Sequence, residues 1–322
     1  MRLIATAALA TLALAGTLGL QAQAVKADPK LPAYKKVPGV AGNLNSIGSD
    51  SLNNLMSYWA EAFKKEYPNV KIQVEGKGSG TAPPALIDGT AQLGPMSREM
   101  KNEEIDQFEK KFGYKPTRIA VAIDTLAVFV HKDNPVAELS LQQLDGVFSK
   151  TYKSGHADVK TWGELGVKGD LAARPISIYG RNSASGTYGY FKENALFKGD
   201  YKDTVKEQPG SSSVVQSISS EMAAIGYSGI GYLTSGVKAV PLSDKGKNGD
   251  KAFAPTYENA LSGTYPLARY LYIYINRPKD GLDPLVAEFV KFVLSKEGQD
   301  IVAKDGYLPL TPKMSGDEQK KL

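Results

Sequence analysis

Apolar positions along the chain follow two periodicities in turn, and their alternation predicts an α/β fold. Runs of β-branched and other apolar residues predict strands over residues 43–47, 70–74, 118–130, 175–179, 224–232 and 270–275. Apolar residues spaced three or four positions apart predict helices over residues 52–63, 85–87, 139–144, 190–197, 214–218 and 285–294. The chain is therefore organised as repeated strand–turn–helix units.

Four of the strand-to-helix turns are rich in Ser, Gly, Thr or Arg. They are residues 48–51, 76–81, 97–99 and 180–187. In an open α/β sheet such turns lie at the carboxyl edge of the strands, where ligands bind. The alternative is four ordinary helix caps, for which Ser and Thr are preferred residues.

The turn over residues 180–187 carries the clearest chemistry. Free backbone N–H groups and the positive end of the helix dipole collect at the start of the helix that follows it. Ser185 and Thr187 add hydroxyl groups, and Gly186 allows a ligand to approach the backbone closely. Arg181 can present two donors to an oxyanion. The turn therefore predicts an oxyanion site, and the alternative is a Ser/Thr cap beside a surface arginine.

Longer-range organisation is indicated by two strands. Residues 118–130 form a run long enough to pass from one domain to another, and residues 270–275 are a candidate for a second crossing. Residues 162–166 have the composition of a surface turn. The polar tail from Lys313 is expected to fray.

The first 24 residues have the pattern of a secretory signal. Arg2 precedes an apolar run over residues 3–20, and Ala22-Gln23-Ala24 provides small residues around a cleavage point. A short membrane anchor is the alternative. We expect cleavage after Ala24 and a location in the periplasm, with the surrounding medium as the alternative.

Composition excludes several classes of site. The sequence has no cysteine, so disulfides, a thiolate nucleophile and a Cys-ligated metal are excluded. The two histidines, His131 and His156, are too few for the usual metal cluster, and no metal is expected. The formal net charge of +5 comes from interspersed charges, unlike the clustered basic face of a nucleic-acid binder. This mild excess favours anions.

Taken in order, the motifs resemble those of the extracytoplasmic phosphate-binding proteins that serve Pst-type ABC phosphate importers. The resemblance runs over residues 43–312 and is carried by Ile47-Gly48-Ser49-Asp50-Ser51, Gly78-Ser79-Gly80-Thr81, Met96-Ser97-Arg98-Glu99, Gly180-Arg181-Asn182-Ser183-Ala184-Ser185-Gly186-Thr187 and Ile225-Gly226-Tyr227. It implies a two-lobed, class II-like periplasmic-binding-protein fold. Lobe 1 would comprise residues 25–122 and 268–322, and lobe 2 residues 123–267. Strands near 121–123 and 267–271 would form the hinge about which the lobes close.

The resemblance also implies a phosphate site, carried over residue by residue. Its members would be Ser49, Asp50, Ser51, Ser79, Gly80, Thr81, Ser97, Arg98, Arg181, Ser185, Gly186 and Thr187. Many relatives have an aspartate at the third turn, where it accepts the proton of hydrogen phosphate. Here Ser97 and Arg98 stand at that turn, so Asp50 is the first candidate for the acceptor. The resemblance implies inorganic phosphate and an inner-membrane ABC permease as partners, no cofactor, and a monomer.

Three other functions remain open: a secreted phosphatase of the same superfamily, a binder of another oxyanion such as sulfate or molybdate, and a surface or secreted form acting in adhesion or scavenging. An arginine beside serines could stabilise a transferring phosphoryl group. However, a serine without an activating base is a poor nucleophile, and the sequence offers no plausible His base for these serines. The Gly-x-Ser pattern of a hydrolase elbow is absent before Ser183. We therefore expect a non-enzymatic carrier.

Overall fold

A computed structural model of the chain describes residues 25–322, so the predicted signal segment lies outside the described residues. The strands are β1 (Gly42–Ile47), β2 (Val70–Glu75), β3 (Gly94–Met96), β4 (Thr117–His131), β5 (Leu139–Ser140), β6 (Ser177–Arg181), β7 (Lys206–Gln208), β8 (Ala224–Gly229), β9 (Val237–Ala239), β10 (Leu242–Ser243) and β11 (Ala268–Ile275). The helices are α1 (Asn53–Glu66), α2 (Ala82–Asp88), α3 (Asn102–Phe112), α4 (Leu141–Phe148), α5 (Gly186–Asn194), α6 (Ser211–Ser219), α7 (Tyr257–Leu261), α8 (Pro284–Leu294), α9 (Lys296–Lys304) and α10 (Pro312–Gln319). None of these helices is long and apolar enough to cross a membrane. The strand–turn–helix units predicted from periodicity are confirmed to within a few residues.

The main sheet mixes parallel and antiparallel strands in the order β3–β11–β4–β8–β6–β7, with β9 beside the end of β4. Strands β1 and β2 form a separate parallel pair. A parallel bridge from Ser46 to Leu93 connects this pair to the residues just before β3. The carboxyl ends of β1, β2 and β3 therefore lie close together, and so do the turns that follow them.

Strand β4 is shared by the two halves of the main sheet. Up to Thr125 it lies antiparallel to β11, and from Leu126 onward it lies antiparallel to β8. The side chains from Ile119 to Val130 are buried throughout, which explains the long apolar run in the sequence. The prediction of one continuous long strand is confirmed.

Two large hydrophobic cores include the first and the second half of this strand, respectively. Core I contains the aromatic side chains of Trp59, Phe63, Phe289, Phe292 and Tyr307. Core II contains those of Phe148, Trp162, Phe191, Tyr227 and Tyr265. Strand β4 contributes to core I as far as Ile123 and to core II from Leu126. Two cores joined by β4 and β11 fit a two-lobed molecule, and the lobe boundaries themselves stay a prediction.

Two local expectations were wrong because distant segments bury the residues concerned. The tail does not fray at Lys313, since α10 is capped by Thr311 and packed through Ser315, whose buried Oγ donates to the Leu294 carbonyl at 2.6 Å. The expected surface turn at residues 162–166 is a 3-10 turn that begins with the buried Trp162. Its indole Nε1 donates to the Ala223 carbonyl at 3.0 Å.

Candidate anion-binding cleft

The turns after β1, β2 and β3 bring three serine hydroxyl groups into contact. Ser49 Oγ donates to Ser97 Oγ at 3.0 Å, and Ser79 Oγ lies 3.2 Å from the same atom. The backbone N–H of Ser97 donates to Ser79 Oγ at 3.0 Å. All three side chains are buried. A buried group of hydroxyls is a set of donors that can turn toward an anion.

The fourth turn reaches this group from the side of core II. Thr187, in the first turn of α5, lies 2.8 Å from Ser51 Oγ and 3.5 Å from Ser97 Oγ through its Oγ1. Ser51 and Thr187 are also buried. The four turns singled out by composition therefore meet at one place, as the sequence predicts.

Close approach of the turns depends on glycine at position 186. A Cβ on Gly186 would lie 2.2 Å from Ser79 Oγ and 2.8 Å from Ser97 Oγ. Beside this approach, the N–H of Gly80 donates across the cleft to the Ala184 carbonyl at 3.0 Å. The cleft is thus closed by direct contact between the two sides.

The start of α5 has the capped geometry expected of an anion site. Ser185 is the N-cap residue, and its Oγ accepts from the N–H of Tyr188 at 3.3 Å. The N–H groups of Gly186 and Thr187 belong to the first helical turn, which has no carbonyl partner within the helix. Ser185 therefore shapes the turn, and its two successors can offer backbone donors to an anion.

Arg181 lies at the end of β6 and is buried, with 2% of its surface exposed. Its Nη1 donates to Ser211 Oγ at 2.8 Å and lies 3.0 Å from Asp50 Oδ2, and its Nη2 donates to the Pro209 carbonyl at 3.3 Å. Its Nε is buried without a hydrogen-bond partner among residues 25–322. The alternative of a surface arginine is therefore excluded.

Asp50 is held beside Arg181. Its Oδ2 also accepts from the backbone N–H of Ser211, the first residue of α6, at 2.8 Å. Tyr232 donates its hydroxyl to the Asp50 carbonyl at 2.9 Å. The carboxylate is thus fixed by contacts to its Oδ2.

Two of the predicted site residues have other partners in the structure. Arg98 forms a two-point ion pair with Glu104, at 2.7 Å from Nη1 to Oε2 and 2.6 Å from Nη2 to Oε1. The hydroxyl of Thr81 donates to the Gly78 carbonyl within its own turn. Because Glu104 lies in the first turn of the neighbouring α3, this pairing engages both terminal nitrogens of Arg98 and argues against its predicted role as an anion ligand.

A second buried ion pair, beside the cluster of serine hydroxyls, was missed by sequence reasoning. Arg269 of β11 lies opposite Asp124 of β4, with Nη2 2.8 Å from Asp124 Oδ2. Arg269 Nη2 also donates to Thr187 Oγ1 at 3.0 Å. The available signal was a charge inside or beside an apolar run, which requires a partner when the run is buried.

The tyrosines behind the site are neutral hydroxyl groups. Burial raises the pKa of Tyr227 to about 12, and burial also raises the pKa of Tyr190 to about 12. Tyr227 accepts a hydrogen bond from the N–H of Arg181 at 3.3 Å. In the part of the chain that the structure describes, no group of three or more His, Cys, Asp or Glu side chains is placed to hold a metal ion.

Comparison with known proteins identifies relatives over most of the chain. The PBP superfamily domain matches residues 35–297. Phosphate-binding protein PstS of Pseudomonas aeruginosa is 56% identical, covering 96% of this chain and 95% of that protein. PstS of Staphylococcus haemolyticus is 31% identical, covering 87% and 85% respectively. A solved structure from Clostridium perfringens, assigned as a phosphate ABC transporter substrate-binding protein with bound phosphate, has a TM-score of 0.71 at 29% identity, covering 84% of this chain and 100% of that one. The predicted fold class is confirmed.

Proposed function

We infer that this chain, which belongs to the PBP superfamily and within it to the PstS family of phosphate-binding proteins, binds inorganic phosphate in the cleft and delivers it to an ABC importer. The family resemblance found in the sequence motifs is confirmed by these relatives. One observation in the cleft carries the choice of ligand. A buried arginine donor, Arg181 Nε, has no acceptor within residues 25–322, and it accompanies five buried hydroxyl groups.

An oxyanion satisfies this arrangement. Leaving a buried donor without an acceptor costs about 1–3 kcal/mol, and hydrogen bonds to a charged group are stronger than neutral ones. Phosphate offers several acceptor oxygens at once. The proposed ligands are the hydroxyls of Ser49, Ser51, Ser79, Ser97 and Thr187, the guanidinium of Arg181, and the N–H groups of Gly186 and Thr187. Gly80, Thr81 and Ser185 are proposed to shape the turns that hold them.

Asp50 is the proposed acceptor that separates phosphate from sulfate. Near neutral pH phosphate carries at least one proton, whereas sulfate carries none. The Oδ2 of Asp50 is engaged by Arg181 and Ser211, and its Oδ1 makes no hydrogen bond with any residue of the described chain. Oδ1 can accept a hydrogen bond from the phosphate proton. Sulfate has no proton to donate, so its oxygen and Oδ1 would be two negatively charged acceptors in contact, which disfavours sulfate.

Binding without turnover is the proposed outcome in the cleft. The relatives are named as binding proteins. The hydroxyls of Ser49, Ser79 and Ser97 hydrogen-bond one another, and the two adjacent carboxylates, Asp50 and Asp124, are paired with arginines. His131 and His156 interact with backbone atoms of their own loops. None of these contacts supplies a general base to a serine, which argues against a phosphatase.

We place this activity in the periplasm, where a binding protein meets the outer face of an inner-membrane permease. Release of the anion would follow opening of the two sides about β4 and β11, a hinge motion of rigid lobes. The ligand is enclosed by contacts between turns, so opening exposes it at the rims that a permease would engage.

Calorimetric titration of the purified, phosphate-stripped protein tests the proposal. We expect one-to-one binding of phosphate, no heat with sulfate, and a loss of about 10²-fold or more in phosphate affinity in Arg181→Ala. Arg98→Ala is the matched control, since its guanidinium is paired with Glu104, and it should bind phosphate like the wild type. Absence of phosphate binding, or steady hydrolysis of p-nitrophenyl phosphate, would contradict the carrier function.

A further inference from the structure

The guanidinium of Arg269 joins three parts of the chain. Its Nε donates to Asp124 Oδ2 at 2.9 Å, which connects β11 to β4. Its Nη1 donates to the Ser97 carbonyl at 2.8 Å, in the turn after β3. Its Nη2 donates to Thr187 Oγ1 at 3.0 Å, which connects it to α5. One buried side chain therefore bonds both crossing strands and a turn from each side of the cleft.

The direction of the Thr187 hydroxyl follows from the chemistry of this neighbour. A guanidinium has donors and no acceptor, so Thr187 Oγ1 accepts from Arg269. The single proton of Thr187 is then left for a second partner. That partner is Ser51 Oγ at 2.8 Å, Ser97 Oγ at 3.5 Å, or an oxygen of the anion. Arg269 thus fixes Thr187 as a donor toward the site.

Helix α5 rests on β11 through one face that includes this threonine. Thr187 and Tyr190 are three positions apart, so they lie on the same side of the helix. Tyr190 donates its hydroxyl to the Ala268 carbonyl at 2.8 Å. The guanidinium carbon of Arg269 lies 5.2 Å from the centre of the Tyr190 ring. In the proposed division Ser97 belongs to lobe 1 and Thr187 to lobe 2, so the bridge that Arg269 forms between them requires closed lobes.

We propose that Arg269 is a positioning residue for phosphate binding. It holds α5 against the hinge in the closed form and points the Thr187 proton at the anion, without being an anion ligand itself. The proposal rests on the proposed function. Because Arg269 acts on closure, its loss speeds release of the anion much more than it slows association.

A purely structural ion pair is the competing explanation, and suitable variants separate the two. Asp124 is fully buried, so Arg269→Gln alone would leave an uncompensated buried charge and destabilise the fold. The paired variant Asp124→Asn with Arg269→Gln removes both charges together. Arg118→Gln is the matched control, because Arg118 of β4 is ion-paired with Glu99 and its guanidinium carbon lies 5.2 Å from the Tyr272 ring centre, away from α5.

Stopped-flow measurement of phosphate binding and release provides the test, with urea unfolding used to verify that each variant folds. In the paired variant we expect the release rate constant to rise about tenfold or more, and the association rate constant to change by less than about threefold. Thr187→Val, which leaves the ion pair intact, should raise release similarly, and adding it to the paired variant should have little further effect. Release within about twofold of wild type in the paired variant, or additive effects, would overturn the proposal. Arg118→Gln should match the wild type.

A ligand-free measurement keeps this inference distinct from the proposed function. If the wild type binds no phosphate, the proposed function fails, and small-angle scattering of the ligand-free protein still tests Arg269. A larger radius of gyration in the paired variant than in both wild type and Arg118→Gln supports the role in closure. Equal radii in all three proteins contradict it.

Discussion

Asp50 and Arg181 form an ion pair across the cleft, with Asp50 Oδ2 3.0 Å from Arg181 Nη1. The arginine side chain is 2% exposed, whereas the aspartate retains 21% exposure. The carboxylate therefore orients a buried guanidinium while keeping one edge toward the cleft. In the closed form these contacts hold the donors in place around the anion, which lowers the entropic cost of ordering them.

The first prediction concerns selectivity and uses Asp50→Asn. The asparagine amide carries an NH₂ donor as well as a carbonyl acceptor, so the donor competes with acceptance of the phosphate proton. The substitution also removes the negative charge that excludes sulfate. We expect the ratio of phosphate to sulfate affinity to fall by about 10³-fold, measured by calorimetry with both anions. Asp106→Asn, on the exposed face of α3, is the control and should keep the wild-type ratio. An unchanged ratio in Asp50→Asn would assign the proton acceptor to another residue.

The second prediction concerns Gly186. Its replacement by alanine places a Cβ 2.2 Å from Ser79 Oγ, so α5 must move away from the serine hydroxyls. We expect phosphate affinity to fall by about 10²-fold while the protein remains folded, as measured by calorimetry and thermal unfolding. Gly189→Ala is the matched control in the same helix, because its nearest neighbour is the Arg98 Cδ at 3.6 Å. This control should bind normally and unfold at a slightly higher temperature, since alanine favours the helix.

The third prediction concerns the pH dependence of stability. Burial raises the pKa of Asp305 from its ordinary value of 3.8 to about 7, so the folded protein holds a proton that the unfolded chain has lost between these values. The contribution of this carboxyl group to stability must then fall as the pH rises from about 4 to about 7. In Asp305→Asn the difference between the free energies of unfolding at pH 5 and pH 8 should shrink by about 1–2 kcal/mol, allowing for solvent screening, in urea titrations.

Asp317→Asn is the control for that measurement. Hydrogen bonds from Lys313 and Lys320 lower the pKa of Asp317 to about 2, so its contribution changes only in more acidic solution. It should leave the difference between pH 5 and pH 8 unaltered. A wild-type difference that persists in Asp305→Asn would assign the pH dependence to other groups.

The fourth prediction concerns the C-terminal helix. Ser315 is fully buried, and its hydroxyl donates to the Leu294 carbonyl, which attaches α10 to α8. Ser315→Ala leaves that carbonyl without its partner and should lower the free energy of unfolding by about 1–3 kcal/mol in urea. Ser262→Ala removes a comparable but exposed bond to the Asn259 carbonyl and should change stability by less than about 0.5 kcal/mol. Equal effects would mean that α10 is loosely attached.

Local patterns explain why much of the site could be predicted. The turns that carry Ser49, Ser79, Ser97 and Thr187 were identified because hydroxyl and glycine residues cluster at the ends of predicted strands, and such turns share one edge of the sheet. The family resemblance then implied these residues as ligands. Arg269 was not identified, because a single charge at the start of an apolar strand indicates a partner without saying which one. Its pairing with Asp124 depends on the register between β4 and β11.

The order of the strands and helices, the four polar turns and the likeness to phosphate-binding proteins were determined by the sequence alone. These features depend on periodicity and turn composition within short segments, which neighbouring residues control. Only the tertiary structure decided that Arg181 reaches Asp50 while Arg98 turns to Glu104, and that α10 packs where a frayed tail was expected. In each case the outcome depends on competing contacts between side chains and backbone, many from segments far apart in the chain, and no local pattern records which of those contacts prevails.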